Sequence, residues 1–318
     1  MSSNKREAFR RFIKPENMEI LQRLAAASDE NWFKDALQDK DVFFALRDNR
    51  VDAYAKGALV HRIEFKNGRA IPHTHVKYLI KEPQKSREYI SLEDNAFQYD
   101  PGECMQTKYE ASQTLKSIKA AALYYSPKSS ESYGVSSIIA KNPNIIDIEF
   151  SLKQSIDEST EPPVLSESSQ SETGQKSKHD RIDIVQLEKS KDFYQLVFWE
   201  AKLYANSDLF SNKIIDQLNR YSQQIKRHEQ AIIGAYRNVC QFQFDINSLR
   251  PHHFHNNDLK NIAERSVDLK VDDKPRLAIF TYDAPQKTRL KERVETLSIE
   301  LGKRRIVHKG NSSKLILK

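Results

Sequence analysis

Residues 180–202 read DRIDIVQLEKSKDFYQLVFWEAK, two apolar runs with acids set inside them. No other stretch restricts the fold as strongly. IDIVQL and FYQLVFW are rich in β-branched and aromatic residues and are separated by EKSKD, a hairpin-length connection. A tight turn at Lys191 and Asp192 sets Asp183 directly opposite Glu200, on one face of the sheet and about 5 Å away. Lys202, two residues beyond Glu200, shares that face. A slip of one residue breaks the alignment, and Asp180 is then the alternative to Asp183. Strands this apolar are buried, and a buried carboxylate costs several kcal/mol unless it is paired or binds an ion.

The rest of the chain supplies a context for the hairpin. Residues 5–40 are predicted to form one or two helices, with Met18, Ile20, Leu21 and Leu24 near one face. From Asp41 to about Ile80 the period changes to alternation, with RDN and KNG as turn signals, and predicts an antiparallel β-meander. Helical spacing returns over 107–126, where Leu115, Ile118, Ala122 and Tyr125 form a stripe, and NIIDIEFSL (144–152) is predicted to be a strand. Between that strand and the hairpin lie 26 residues, Lys153 to Lys178, with seven serines, five acids and no aromatic. Such a segment buries little and is expected to be a mobile insertion between neighbouring strands. A long helix over about 209–238, a strand at 277–283 and a helix at 286–301 complete the pattern. The expected fold class is α/β (α+β). An accessory module of helices and β-meander (1–105) precedes a domain (106–318) whose elements run α-β-β-β-α-β, an order unlike the strict alternation of a doubly wound sheet.

Two carboxylates this close repel each other unless a cation lies between them. A hard divalent ion with oxygen ligands, Mg²⁺ or Mn²⁺, suits the pair, and a lysine beside it suits a water molecule and a phosphate acquiring charge. The plainer alternative is an edge-strand acid and a solvated Glu–Lys pair. The D-x16-E-A-K pattern on the second and third strands of this element order resembles the PD-(D/E)xK nuclease superfamily. RIDIV and FWEAK look like its metal-binding hairpin. Gln217 and Tyr221 in KIIDQLNRYSQQIKRHEQ are similar to the QxxxY motif of the RecB-like branch. The resemblance spans roughly residues 107–300 and implies a restriction-endonuclease-like fold, a mixed sheet flanked by helices. It implies that Asp183, Glu200 and the Ala201 carbonyl bind the metal, that Lys202 acts on water and phosphate, and that Gln217 and Tyr221 support the site. It also implies a further acid, with Glu149 preferred over Glu110. Ile182 stands where the family motif has proline, and the 153–178 insertion and the absence of cluster-binding cysteines are further departures.

On the helix carrying QxxxY, Lys213, Gln217, Arg220, Gln224 and Arg227 form one polar, basic face, suited to a phosphate backbone or simply to water. Tyr221 lies instead on the apolar stripe with Ile214, Leu218, Ile225 and Ile232, so packing alone is a second reading of that residue. The net charge is +7, and Pro285–Lys318 alone holds ten Lys or Arg against three Glu, a balance that favours polyanions. DNA is the expected substrate, with RNA not distinguished from it and self-association left open. A helicase- or sensor-type partner subunit is a further expectation. The two cysteines lack metal-ligand spacing, and His252, His253 and His255 are expected to be a surface loop. No membrane span or leader is recognisable, which predicts a cytoplasmic protein. Esterase, NTPase and thiol-protease signatures are absent. The expected activity is metal-dependent DNA hydrolysis in prokaryotic defence, or nucleic-acid binding as a non-catalytic or partner-gated subunit.

Overall fold

The computed structural model describes residues 9–81, 88–151, 181–251 and 256–318. Asp180, the serine-rich segment 153–178 and His252, His253 and His255 lie outside the described residues. The first helix, α1 (Pro15–Ala26), starts on a proline, whose fixed φ suits a helix start and whose missing N–H is not needed there. α2 (Trp32–Gln38) is capped by Asn31, whose side chain accepts from the N–H groups of Phe33 and Lys34.

Six strands follow as one antiparallel sheet in chain order: β1 (Phe43–Leu46), β2 (Val51–Ala55), β3 (Ala58–Lys66), β4 (Arg69–His75), β5 (Tyr89–Glu93) and β6 (Ala96–Phe97). Three of its hairpins turn on two left-handed residues, Lys56–Gly57, Asn67–Gly68 and Asp94–Asn95, with φ from 47° to 80°. Such turns match the twist of the flanking strands. A Cβ at Gly57 would lie 2.5 Å from the backbone carbonyl carbon of Ser132, so this hairpin presses on the chain that follows the sheet.

Two helices come next, α3 (Thr114–Tyr125) and α4 (Glu131–Ile139). The expected helix over 107–126 is α3, but it packs on α2 and β3 of the first sheet. The helix that leads the second sheet is α4, a short element not anticipated from the sequence, which packs on β9. The second sheet contains β7 (Ile145–Ser151), β8 (Arg181–Lys189), β9 (Phe193–Leu203), β10 (Asp268–Val271), β11 (Arg276–Phe280) and β12 (Ile306–Lys309). Its order is β12-β11-β9-β8-β7, with β10 also on β9. β7, β8 and β9 are antiparallel, whereas β10 and β11 run parallel to β9 and β12 runs parallel to β11. Among the described residues the chain is therefore a mixed α/β protein with two sheets, one antiparallel and one mixed, and eight α-helices.

The long helix expected over 209–238 is two helices, α5 (Lys213–Arg227) and α6 (Glu229–Leu249), which break at His228 (φ −113°, ψ 16°) without a glycine or proline to mark the place. α7 (Asn257–Ala263) and α8 (Ala284–Leu301) complete the helices, and α8 has a capping box from Asp283 and Gln286.

One hydrophobic core runs through both sheets. Phe9, Phe150, Phe198 and Tyr236 join in it with ring centroids 4.9–6.5 Å apart. Asp147 of β7, 0% exposed, sits beside this cluster. Arg47 (2.7 Å) and Arg11 (3.2 Å) pair with it, and the Tyr236 hydroxyl donates to it (3.0 Å). A carboxylate so enclosed is stable because cations and donors replace its water. The two arginines hold it below the usual carboxylate range against the opposing effect of burial. Among the described residues, no helix is long and apolar enough to cross a membrane.

Candidate active site

The hairpin of β8 and β9 turns at Lys191 and Asp192, with Ser190 donating its N–H to the Phe193 carbonyl (2.9 Å). Backbone pairing runs from Lys189↔Tyr194 to Ile184↔Trp199, and its continuation sets Asp183 opposite Glu200. There the ladder opens. The N–H of Ala201, which in an unbroken ladder would serve the β8 backbone, donates to Asp183 Oδ2 (2.8 Å). The Ala201 carbonyl points to the same side of its strand as the N–H, toward the gap.

Glu200 is 1% exposed and Lys202 7%. Lys202 Nζ lies 2.6 Å from Glu200 Oε1, and Gln217 Nε2 donates to the same oxygen (2.9 Å). Gln217 also donates to the Tyr221 hydroxyl (2.6 Å), which donates to the Arg181 carbonyl (2.7 Å). α5 presents these groups because Ile214, Leu218, Tyr221 and Ile225 bury one stripe of it. The ring of Tyr221 thus packs in the core while its hydroxyl bonds to Gln217 and to the Arg181 carbonyl, so packing is not its only contact.

Glu131, at the first position of α4, was not anticipated. Its Oε2 accepts from the N–H of Leu203 (3.1 Å) and from Asn206 Nδ2 (3.2 Å), and its Oε1 lies 3.9 Å from Lys202 Nζ. The only local signal was Ser130, whose side chain caps α4 by accepting from the Tyr133 N–H. Glu110 is exposed on the segment ahead of α3, where its N–H donates to Thr114 Oγ1, and takes no part in this network. Glu149 is the β7 residue that register sets opposite Asp183, but it has a left-handed φ of 52°. Its carboxylate accepts from the Tyr54 hydroxyl (2.8 Å) and lies 3.5 Å from Arg181. Non-glycine residues in that conformation cluster at functional sites. Lys213, Arg220 and Arg227 are exposed along α5, with Lys213 Nζ 3.6 Å from Asp208, and Gln224 is half-buried. Glu131, Glu149, Arg181 and Asp183 line a cleft of about 630 Å³, whose other wall includes Phe43 and Tyr54 of the first sheet.

Burial raises the Asp183 carboxyl to about 7, with Glu131 adding to the effect and the Ala201 N–H and Lys202 opposing it. Glu200 rises well above the usual carboxylate range, first through burial and then through Asp183, against the pull of Lys202. For Lys202, burial alone would lower the ammonium, but Glu200, Glu131 and Asp183 outweigh it and hold the group above its ordinary value. One ammonium therefore faces three carboxylates, and the excess negative charge calls for a proton or a cation.

Glu200 Oε2 is buried with no hydrogen-bond partner. Unpaired buried oxygens are costly, and this one is a carboxylate oxygen facing a second acid. Among the described residues, no three or more His, Cys, Asp or Glu side chains gather closely enough to enclose an ion by themselves. The oxygen donors at the gap are Asp183, Glu200 and the Ala201 carbonyl, a set that fits a hard divalent cation. Cys104 and Cys240 are both buried and free. No family model, curated protein or solved structure matches this chain.

Proposed function

We propose that this protein is a metal-dependent phosphodiester hydrolase acting on DNA, with a PD-(D/E)xK core formed by α4, β7, β8, β9, α5, α6 and β11. The observation that carries the reading is the meeting of Asp183, Glu200 and Lys202 at an opened strand ladder, with Glu200 Oε2 buried and unpartnered. Asp183, Glu200 and the Ala201 carbonyl would hold Mg²⁺ or Mn²⁺, which when bound supplies charge neutralisation and Lewis acidity toward the scissile phosphate. Lys202 would donate to a phosphate oxygen and orient the attacking water. Gln217 fixes the Glu200 carboxylate, Tyr221 fixes Gln217, and Glu131 pins the end of β9 that carries Lys202. Glu149 borders the cleft on the β7 side, and Lys213, Arg220, Gln224 and Arg227 would meet the phosphate backbone. A cytoplasmic role against foreign DNA follows by analogy with nucleases of this kind.

The test is incubation of the purified chain with linear and circular duplex DNA in Mg²⁺, Mn²⁺ or EDTA, beside the double variant Asp183→Asn/Glu200→Gln. Cleavage that needs the metal and is lost in the variant supports the reading, and cleavage that survives in the variant refutes it. A second reading, a subunit that cleaves only with a helicase- or sensor-type partner, is favoured by one observation. Lys202 and Gln217 both occupy Glu200 Oε1, so the pair is closed in the isolated chain. Salt-sensitive DNA binding without cleavage would select it.

A further inference from the structure

The acid–lysine cluster lies on one edge of the second sheet, where β9, β11 and β12 all end because the three run parallel. Lys202 and His308 are the register partners of Ile279 on its two sides, so their side chains share a face and a level. Two strand spacings, about 10 Å, separate them. Along that edge the charge changes sign. Glu149, Asp183 and Glu200 occupy β7, β8 and β9, and His308 and Lys309 close β12.

Tyr282, Asp283, Lys287, His308 and Lys309 line a cavity of about 390 Å³ at this basic end. Lys287, His308 and Lys309 are exposed, and among the described residues neither lysine pairs with a carboxylate. Asp283 is committed to the capping box of α8, where its Oδ1 accepts from the Gln286 N–H (2.8 Å). Two free ammonium groups therefore stand against one engaged carboxylate. The Tyr282 hydroxyl lies 2.8 Å from His308 Nδ1, which fixes the imidazole and leaves Nε2 for another partner. That imidazole is lowered by burial and then by Lys287 and Lys309, as expected where like charges gather. The backbone here is built for close approach. Thr281, just after β11, has a left-handed φ of 60°, a genuine outlier for a β-branched residue, and such strain clusters at functional sites. Beyond it the Tyr282 N–H meets the Gly310 carbonyl (3.3 Å), and a Cβ at Gly310 would lie 2.6 Å from the Tyr282 carbonyl oxygen, so glycine lets the two loops close. The α5 cations are less free: Lys213 lies 3.6 Å from Asp208, and Lys226 lies 2.9 Å from Asp273.

Unpaired ammonium groups and a ring N–H around a small cavity suit a phosphate group. We propose that Lys287, His308 and Lys309 form a phosphate-binding site that holds the backbone of the DNA strand a few nucleotides from the scissile bond. The inference rests on the nuclease reading for the identity of the strand and for the position of that bond. It gives the strand a direction across the molecule, along the sheet edge from β12 to β8.

The test uses the full chain in EDTA, where a metal-dependent site is idle, and fluorescence anisotropy of a labelled duplex over a series of KCl concentrations. Lys287→Gln/Lys309→Gln should weaken binding about tenfold or more at low salt and reduce the slope of log affinity against log salt by about 2. Its thermal midpoint should not move, since both side chains are exposed. Lys287→Arg/Lys309→Arg keeps the charge and should bind as the wild type does. Lys66→Gln/Lys108→Gln removes the same charge from exposed positions in and beside the first sheet and should leave the affinity within about twofold of wild type. Unchanged affinity and slope in the first variant overturn the proposal, as does an equal loss in the arginine variant or in the Lys66/Lys108 control. Displacement of the duplex by inorganic phosphate or thymidine monophosphate, at matched ionic strength and equal concentration, would assign the cavity to a free phosphate and overturn its role in holding DNA. Because binding is read without metal, this site can fail while metal-dependent cleavage stands, and cleavage can fail while the site stands.

Discussion

Replacing Asp147 with asparagine tests whether the two sheets are one folding unit. Asparagine keeps the shape of the side chain, and its one carbonyl oxygen can still accept from the Ile148 N–H (2.9 Å), while the amide nitrogen that takes the place of Oδ2 can no longer accept from the Tyr236 hydroxyl (3.0 Å). Also lost is the charge opposite Arg47 and Arg11, both less than a tenth exposed. Removing one partner from a buried ionic cluster typically costs about 3–5 kcal/mol, because the remaining charge is left without a counter-ion. Arg47 keeps Asp52 at 3.3 Å, which places the expected cost at the lower end, about 3 kcal/mol. Typical stabilities are about 5–15 kcal/mol, so the loss is a large fraction of the total. With urea sensitivities of up to about 3 kcal/mol per molar, the midpoint should fall by about 1 M or more. The chain has two tryptophans, Trp32 in α2 and Trp199 in β9. Wild type and Asp147→Asn, each compared with a Trp32→Phe background that leaves only Trp199 to report, can be unfolded in urea and followed by fluorescence. The expected result is one shared transition moved to lower urea by either reporter. A midpoint within about 0.3 M of wild type, or two transitions that move separately, would refute the reasoning.

Three other outcomes are expected. Lys202→Met should lower metal-dependent cleavage by roughly 100-fold or more with labelled duplex binding nearly unchanged, since the ammonium acts on the transition state; steady-state rates and anisotropy measure the two effects. If Asp183 and Glu200 bind a divalent cation, Mg²⁺ at 100 times its dissociation constant should stabilise the wild type by about 2.7 kcal/mol in a melting experiment, and Glu200→Gln should abolish the gain. His61 is 1% exposed, and burial lowers its imidazole to about 4 from an ordinary 6.5. As pH falls from 6.5 to 4, the unfolded chain takes up the proton before the folded one does, so stability drops with falling pH. The loss from this group is roughly 3 kcal/mol by the lower end of that window. His61→Gln should flatten the difference in urea midpoint between the two ends of the window, and an unaltered pH slope would contradict it.

Much of the site was legible in one dimension because β-strand geometry is regular. The two-residue turn at Lys191 and Asp192 and the alternation on each side of it place Asp183, Glu200 and Lys202 on one face before any folding is considered. Likewise, the helical period of α5 puts Gln217 and Tyr221 one turn apart and buries Ile214, Leu218 and Ile225. The KNG hairpin and the meander followed from turn chemistry. The break at His228 was hidden, because no residue there forbids a helix, and α4 was hidden because nine residues with weak periodicity carry little signal.

Local periodicity in the sequence therefore determined β1 to β4, β7 to β9 and β11 and the hairpin register that gathers the acids and the lysine, whereas the short strands β5, β6, β10 and β12 were not legible in it. The tertiary structure alone decided that Glu131 rather than Glu110 joins that cluster, because α4 and not α3 packs on β9. It also decided that Glu149 turns to Tyr54 of the first sheet. These outcomes depend on which faces share a core and on residues up to 95 positions apart, which spacing along the chain does not encode.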